Sequence, residues 1–263
     1  MTVITLTTDF GSGDHEAGVL KGVIWQIAPD VKIADLSHDI SPHDIREAAI
    51  LLNRAAPFFP DGTVHVVVVD PGVGTSRRGI AARIGRQFYV GPDNGLVTLL
   101  LEKMEVSSES TQFVHLDQSE FWLPEVTHVF HGRDIFAPVA AHLANRIPLS
   151  SLGSAISDPL RLILPKPYRI PGGWHGQVIH IDHFGNLSTN LNANQLKSTK
   201  EVIIKINQEK IVGLVSTFGE SPPGTLIALL DSSGSLAISV VNGNAAQLLN
   251  ANIDDPLEVF TDS

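Results

Sequence analysis

The chain has 263 residues, 43% hydrophobic and only 17% charged, which is too apolar for a disordered chain and long enough for one large domain or two modest ones. Its 18 Lys and Arg against 28 Asp and Glu leave a formal charge of −10, and no basic cluster exceeds Arg77-Arg78, so no nucleic-acid partner is expected. The absence of cysteine excludes disulfides, thiolate zinc sites, iron–sulfur clusters and a cysteine nucleophile.

The opening Met1-Thr2-Val3-Ile4 has no basic leader, and no apolar run reaches the ~18 residues of a membrane span, so a cytoplasmic protein without a membrane partner is expected. Val3 to Thr7 reads as a buried strand that breaks into the polar, glycine-containing loop Thr8–Asp14. Ala17 to Ala28 follows as a helix, with Val19, Leu20, Val23, Ile24 and Ile27 at three-to-four spacing, and Pro29-Asp30 ends it. Val31 to Leu36 is a second strand, the loop Ser37–Asp44 follows, and Ile45 to Ala55 is a second helix. Val64 to Val69 is a valine-rich strand that stops at Asp70-Pro71-Gly72.

Strand and helix alternating in this way predict an α/β domain with a mixed, largely parallel sheet flanked by helices. In such sheets the ligand crevice lies beyond the carboxyl ends of the strands, where this chain delivers Asp9, the His38–Asp44 loop and Asp70. Phe88 to Val90 adds a strand, a leucine-rich helix starts at Leu96, and another helix follows His131-Gly132-Arg133-Asp134 to about Ala144. The proline- and glycine-rich segment Leu164–Gly173 reads as a linker, placing the domains at 1–165 and 166–263. Beyond it, Gly176 to Ile181, Val202 to Ile206, Leu226 to Leu230, Leu236 to Val241 and Pro256 to Phe260 predict a smaller all-β, barrel-like domain.

No P-loop, complete dinucleotide fingerprint, H-E-x-x-H or G-x-S-x-G motif is present. What remains is a spread of carboxylates and histidines at strand ends. Asp9 reads as a ligand grip or, with Ser12, as a cap for the following helix. His38, Asp39, His43 and Asp44 read as divalent-metal ligands or as a solvated loop. Asp70, Arg77 and His131 read as a catalytic group or as a structural ion pair beside a satisfied histidine.

Four motifs then occur in order: Thr7-Thr8-Asp9-Phe10-Gly11, Asp70-Pro71-Gly72-Val73-Gly74-Thr75-Ser76-Arg77-Arg78, Phe130-His131-Gly132-Arg133-Asp134-Ile135-Phe136-Ala137-Pro138, and Asp182-His183-Phe184-Gly185-Asn186. Together they resemble the S-adenosyl-L-methionine hydroxide adenosyltransferase family, related to the fluorinase and chlorinase, over nearly the whole chain. The resemblance implies an N-terminal α/β domain, a C-terminal β-barrel and a homotrimer whose ligand lies between subunits. The implied reaction is S-adenosyl-L-methionine plus water giving adenosine and L-methionine, without a cofactor or metal.

Carried over by motif, Asp70, Arg77 and His131 are the hydroxide-generating trio, and Asp9 falls where the family grips the ribose hydroxyls. Asp14 and Asp182 fall by the methionine ammonium. Phe184, Asn186 and Phe218 fall around the adenine, Ser232 and Ser233 by the methionine end, and Asn244 and Ala245 in the loop reading the adenine edge. Asp70, Val73 and Gly132 replace a tyrosine, a halide-contacting threonine and a serine of the fluorinase, which favours water over halide. The competing expectations are a 5′-halogenase, a metal-dependent phosphoester hydrolase using Asp9, His38, Asp39, His43 and Asp70, and a ligand-binding protein without turnover. On chemistry alone, Asp70 and Arg77 fix one another and the water, and either His131 or Asp70 takes the proton, with His131 the better acceptor near neutrality.

Overall fold

Alternation along the central strands dictates the layers. In β3 (Val64–Val68) every residue is buried, and the side chains divide by parity. Val64, Val66 and Val68 enter one core with helices α1 (Glu16–Ile27) and α4 (Ala137–Ala144). Val67 and Val69 enter a second core with α2 (Ile45–Ala55) and α3 (Thr98–Ser107). The computed structural model describes residues 2–107, 110–196 and 202–261, and the chain divides into two compact units, Met1–Leu162 and Ile163–Ser263.

In the first unit, β1 (Val3–Thr8) lies parallel to both β2 (Lys32–Ser37) and β3. Strand β5 (Gln87–Pro92) is parallel to β3, whereas β4 (Gly79–Ile84), β6 (Thr111–His115) and β7 (Ser154–Ile156) run antiparallel to their neighbours. The order is β2-β1-β3-β5-β4-β6-β7. The sheet is therefore mixed and helix-flanked as expected, but it is parallel only across its β2-β1-β3-β5 half. The antiparallel half arises because β4 and β5 form a tight hairpin, with Ile84 opposite Gln87, instead of a helical crossover.

The second unit is antiparallel throughout its described strands. They are β8 (Tyr168–Ile170), β9 (Gly173–Ile181), β10 (Leu187–Asn192), β11 (Val202–Ile206), β12 (Glu209–Val212), β13 (Leu226–Leu230), β14 (Ser235–Val240) and β15 (Pro256–Thr261). The order is β12-β11-β15-β9-β10-β14-β13, with β8 added beside β9. Part of the expected linker is thus strand. The sheet curls toward a barrel around Leu187, Leu191, Ile204, Leu236 and Ile238, and the Val215 N–H donates to the Ala228 carbonyl at 2.9 Å beside β13.

Candidate active site

Asp70 lies two residues beyond the Val68 end of β3. The Asn94 side-chain amide donates to the Val69 carbonyl at 2.9 Å and pins the backbone just before Asp70. From there the chain reverses through two turns, closed by Val73 N–H to the Asp70 carbonyl and Thr75 N–H to the Gly72 carbonyl, both at 3.2 Å. Gly74 is obligatory in this reversal: its φ is +75°, and a Cβ there would stand 2.2 Å from the His128 carbonyl oxygen. The reversal returns Arg77 to Asp70.

The resulting contacts are dense. Arg77 Nε donates to Asp70 Oδ1 at 2.8 Å and Oδ2 at 3.0 Å, and Nη2 donates to Oδ2 as well. The same Nη2 donates to His131 Nδ1 at 3.0 Å. Asp70 and Arg77 side chains are 5% and 11% exposed, so this pair is largely withdrawn from water. A guanidinium cannot accept a proton, so His131 Nδ1 supplies the lone pair and the neutral ring carries its hydrogen on Nε2. Burial, followed by the positive charge of Arg77, holds His131 below its usual 6.5, with the Asp70 and Asp134 charges opposing. Beneath the site Tyr89 is fully buried and its hydroxyl donates to the Pro92 carbonyl at 3.0 Å; burial and the Asp70 charge push its pKa well up, which keeps it neutral.

His131 is placed by a π-turn, Gly132–Phe136, in which the Ala137 N–H reaches back to the Gly132 carbonyl. Asp134 within it is fully buried and accepts from Thr127 N–H and Oγ1, both at 2.8 Å, and from Arg133 Nε at 2.6 Å. Burial opposes its ionisation, but the Arg133 and Thr127 bonds outweigh that and lower its pKa. A Cβ on Gly132 would stand 3.0 Å from Val68, so the turn rests closely on β3.

Asp9 follows β1, which is adjacent and parallel to β3, and so lies at the same end of the sheet as Asp70. It accepts the His43 N–H at 2.9 Å, and the Phe10 ring after it meets Phe130 edge-on at 5.7 Å between centroids. Neither Asp9 nor Ser12 caps α1; His15 holds that position without a side-chain bond. Asp14 is exposed on the loop beside a polar cavity of about 520 Å³, lined also by Ser12, Lys21, His38 and Asp39. The candidate metal residues are separately engaged. His38 meets Thr8 Oγ1 at 2.9 Å and Asp35 Oδ1 at 3.1 Å, while Asp39 accepts from Ser12 N–H at 2.9 Å. Asp44 caps α2 by accepting the Glu47 N–H. Among the described residues no three His, Asp or Glu side chains converge as a metal site.

In the second unit, Asp182 accepts from Phe184 N–H and Asn186 N–H at 2.9 Å each and from Asn186 Nδ2 at 2.8 Å, so its carboxylate closes this turn. Gly185, at φ +83°, lies against Asn244, and its carbonyl accepts the Ala246 N–H. Asn244 caps the short helix Ala245–Leu249 through the Gln247 N–H, and Ala245 is buried. Asp182, Phe184, Asn186, Asn244 and Ala245 are thus brought together near the Val240 end of β14. Ser232 and Ser233 occupy the hairpin turn at its Ser235 end, where Ser233 N–H bonds Asp231 at 2.8 Å. Six residues of strand separate the two groups by about 17 Å. Phe184 and Phe218 are 73% and 46% exposed, apolar surface available to a planar ligand.

Sequence reasoning missed Asn94, which anchors the strand end, and Phe136, which underlies Arg77. Asn94 stands in the turn-like Gly91-Pro92-Asp93-Asn94-Gly95 run, the one signal that pointed to it.

A two-domain enzyme is the class this arrangement defines, with a carboxylate, a guanidinium and an imidazole gathered at the strand ends of an α/β unit and an antiparallel β unit following. The chain belongs to the SAM hydroxide adenosyltransferase family: residues 4–153 match its N-terminal domain and residues 176–258 its C-terminal domain. An (R)-S-adenosyl-L-methionine hydrolase of Salinispora tropica is 38% identical, covering 97% of this chain and 97% of its own. A fluorinase of Actinoplanes sp. is more distant, at 30% identity over 94% of this chain and 92% of its own. An uncharacterized conserved protein from Thermotoga maritima has a solved structure with a TM-score of 0.90 at 33% identity, covering 99% of this chain and 100% of that one.

Proposed function

We propose that this protein hydrolyses S-adenosyl-L-methionine to adenosine and L-methionine. The observation that carries the reading is the Arg77 guanidinium bonded at once to Asp70 and His131 at the carboxyl ends of the central strands. Family membership and the hydrolase relatives, 35–38% identical over nearly their full lengths, support it.

Water oxygen attacks C5′ of the ribose as the C5′–S bond breaks, and the bonding pair leaves with sulfur, turning a sulfonium into neutral methionine thioether. Making free hydroxide at neutral pH costs about 12 kcal/mol, so the proton must leave as the C–O bond forms. His131 Nδ1 is occupied by Arg77 and its Nε2 carries hydrogen, so the carboxylate of Asp70 is the acceptor. This reverses the preference that pKa alone gave to His131. Arg77 and the His131 N–H orient the water and hold the carboxylate toward it. A carboxylate at this point also opposes a halide nucleophile.

Asp9 grips the ribose hydroxyls and Asp14 faces the ammonium, with Ser232 and Ser233 at the methionine end; Phe184, Phe218, Asn186, Asn244 and Ala245 hold the adenine, and Asp182 supports them by closing the turn that carries Phe184 and Asn186. A homotrimer in which a neighbouring subunit completes each site belongs to the same reading, supported by the family resemblance. No helix among the described residues is long and apolar enough to cross a membrane.

Turnover in oxygen-18 water, in excess chloride or fluoride, tests the reaction. Label in the adenosine 5′-hydroxyl is expected; unchanged ligand or a 5′-halo-nucleoside overturns the reading. Asp9→Ala is expected to raise KM by about tenfold or more with a smaller change in kcat, since a charged acceptor for two hydroxyls is lost. Steady-state kinetics checks this, and an unchanged KM removes Asp9 from the ribose site.

A further inference from the structure

We propose that Phe136 is a positioning residue for the reaction, holding the Arg77 guanidinium in the plane from which it reaches Asp70 and His131 together. For its activity readout the proposal rests on the hydrolysis argued above. The Phe136 ring is fully buried, and Arg77 Cζ lies 5.1 Å from its centroid. A guanidinium donates only along its edges, so its flat face is the surface that water would otherwise wet. The ring lies against the guanidinium and attracts the cation, while the N–H edges of the cation reach Asp70 and His131. The two interactions use different parts of one group and reinforce a single tilt.

The backbone is arranged for this. In an α-helix, positions five apart diverge by about 140° around the axis. The wider turn closed by Ala137 N–H and the Gly132 carbonyl narrows that angle, so His131 and Phe136 both face Arg77. Gly79 leaves the necessary space: a Cβ there would stand 2.9 Å from the Phe136 ring and 3.7 Å from Arg77 Nη1.

The charged and titratable groups facing His131 are Arg77, Asp70, Asp134 and His128. Arg77 is the one of these that lies against the Phe136 ring, so loosening the ring weakens the one fixed positive charge among them and lets the imidazole gain a proton at higher pH. The experiment follows the His131 imidazole by NMR titration and measures kcat and KM against pH. It compares the wild type, Phe136→Leu, Gly79→Ala, whose added methyl displaces the ring, and Phe113→Leu, a buried change in the core on the opposite face of the sheet. Phe136→Leu and Gly79→Ala are expected to lower kcat about tenfold, leave KM within about twofold, and move the His131 titration upward. Phe113→Leu is expected to lower the melting temperature without moving the titration. Should Phe136→Leu fail to fold, Gly79→Ala carries the same signature. A titration and kcat unmoved in the folded variants, or moved equally by Phe113→Leu, overturns the proposal. If the wild type does not cleave the sulfonium nucleoside, the hydrolysis reading fails by itself, and the NMR titration still decides the role of Phe136.

Discussion

Asp70→Asn is expected to lower kcat by about three orders of magnitude while KM changes by no more than a few-fold. Asparagine matches the carboxylate in shape, so whatever is lost belongs to charge and basicity. Two functions end together. The variant has no group to take the water proton, because His131 Nδ1 is already accepting from Arg77. It also turns an NH2 or a single carbonyl toward a guanidinium that three bonds had matched to two carboxylate oxygens. Leaving a guanidinium that is 11% exposed without its counter-charge costs stability, up to about 3 kcal/mol, so the melting temperature falls as well. Activity must therefore be measured below the variant's own melting transition, with ligand affinity measured separately. A kcat within tenfold of the wild type, in a folded variant, removes Asp70 as the proton acceptor.

The parts of the fold legible in the sequence were those whose burial leaves a periodic trace. Ile4 to Thr7 and Val64 to Val69 are buried on both faces, and their runs of apolar and β-branched residues, broken only by His65, follow from that. Strand β4, Gly79-Ile80-Ala81-Ala82-Arg83-Ile84, escaped notice because glycine and alanine carry little strand signal. Strand β10, Leu187-Ser188-Thr189-Asn190-Leu191-Asn192, is mostly polar and is buried through backbone pairing and side-chain bonds, such as Thr189 to the Leu236 carbonyl. At the site, the motifs marked Asp70, Arg77 and His131, but their convergence depends on the Gly74 reversal and on a contact 54 residues apart, neither of which has a sequence period. Phe136 reads as ordinary core, and it is core; only its position under a guanidinium gives it a second task. Asp182 shows the opposite case, since a carboxylate picked out as a ligand grip first serves to close its own turn.

Arg77→Met separates the electrostatic task of Arg77 from its bulk, and kcat is expected to fall by about two to three orders of magnitude. The more diagnostic change lies in the titration of His131. In the wild type, burial and the neighbouring cation keep His131 below 6.5, so the imidazole is neutral at physiological pH and able to accept from Nη2. As pH falls through that lowered value the ring gains a proton, Nδ1 becomes a donor facing a donor, and the arrangement around Asp70 is lost. The acid limb of kcat therefore lies below pH 6.5 in the wild type. Without Arg77 the charges still facing the ring are chiefly those of Asp70 and Asp134, which favour the protonated form. The ring's own titration must then move to higher pH, whereas it would stay where it was if burial alone set it, and NMR titration of His131 checks this. The nearly buried Asp70 carboxylate is also left without its partner, so stability falls together with rate. A variant that is slow but keeps the wild-type His131 titration would show that Arg77 aligns Asp70 without governing His131, and the shared guanidinium would lose its meaning as the link between acid, base and water.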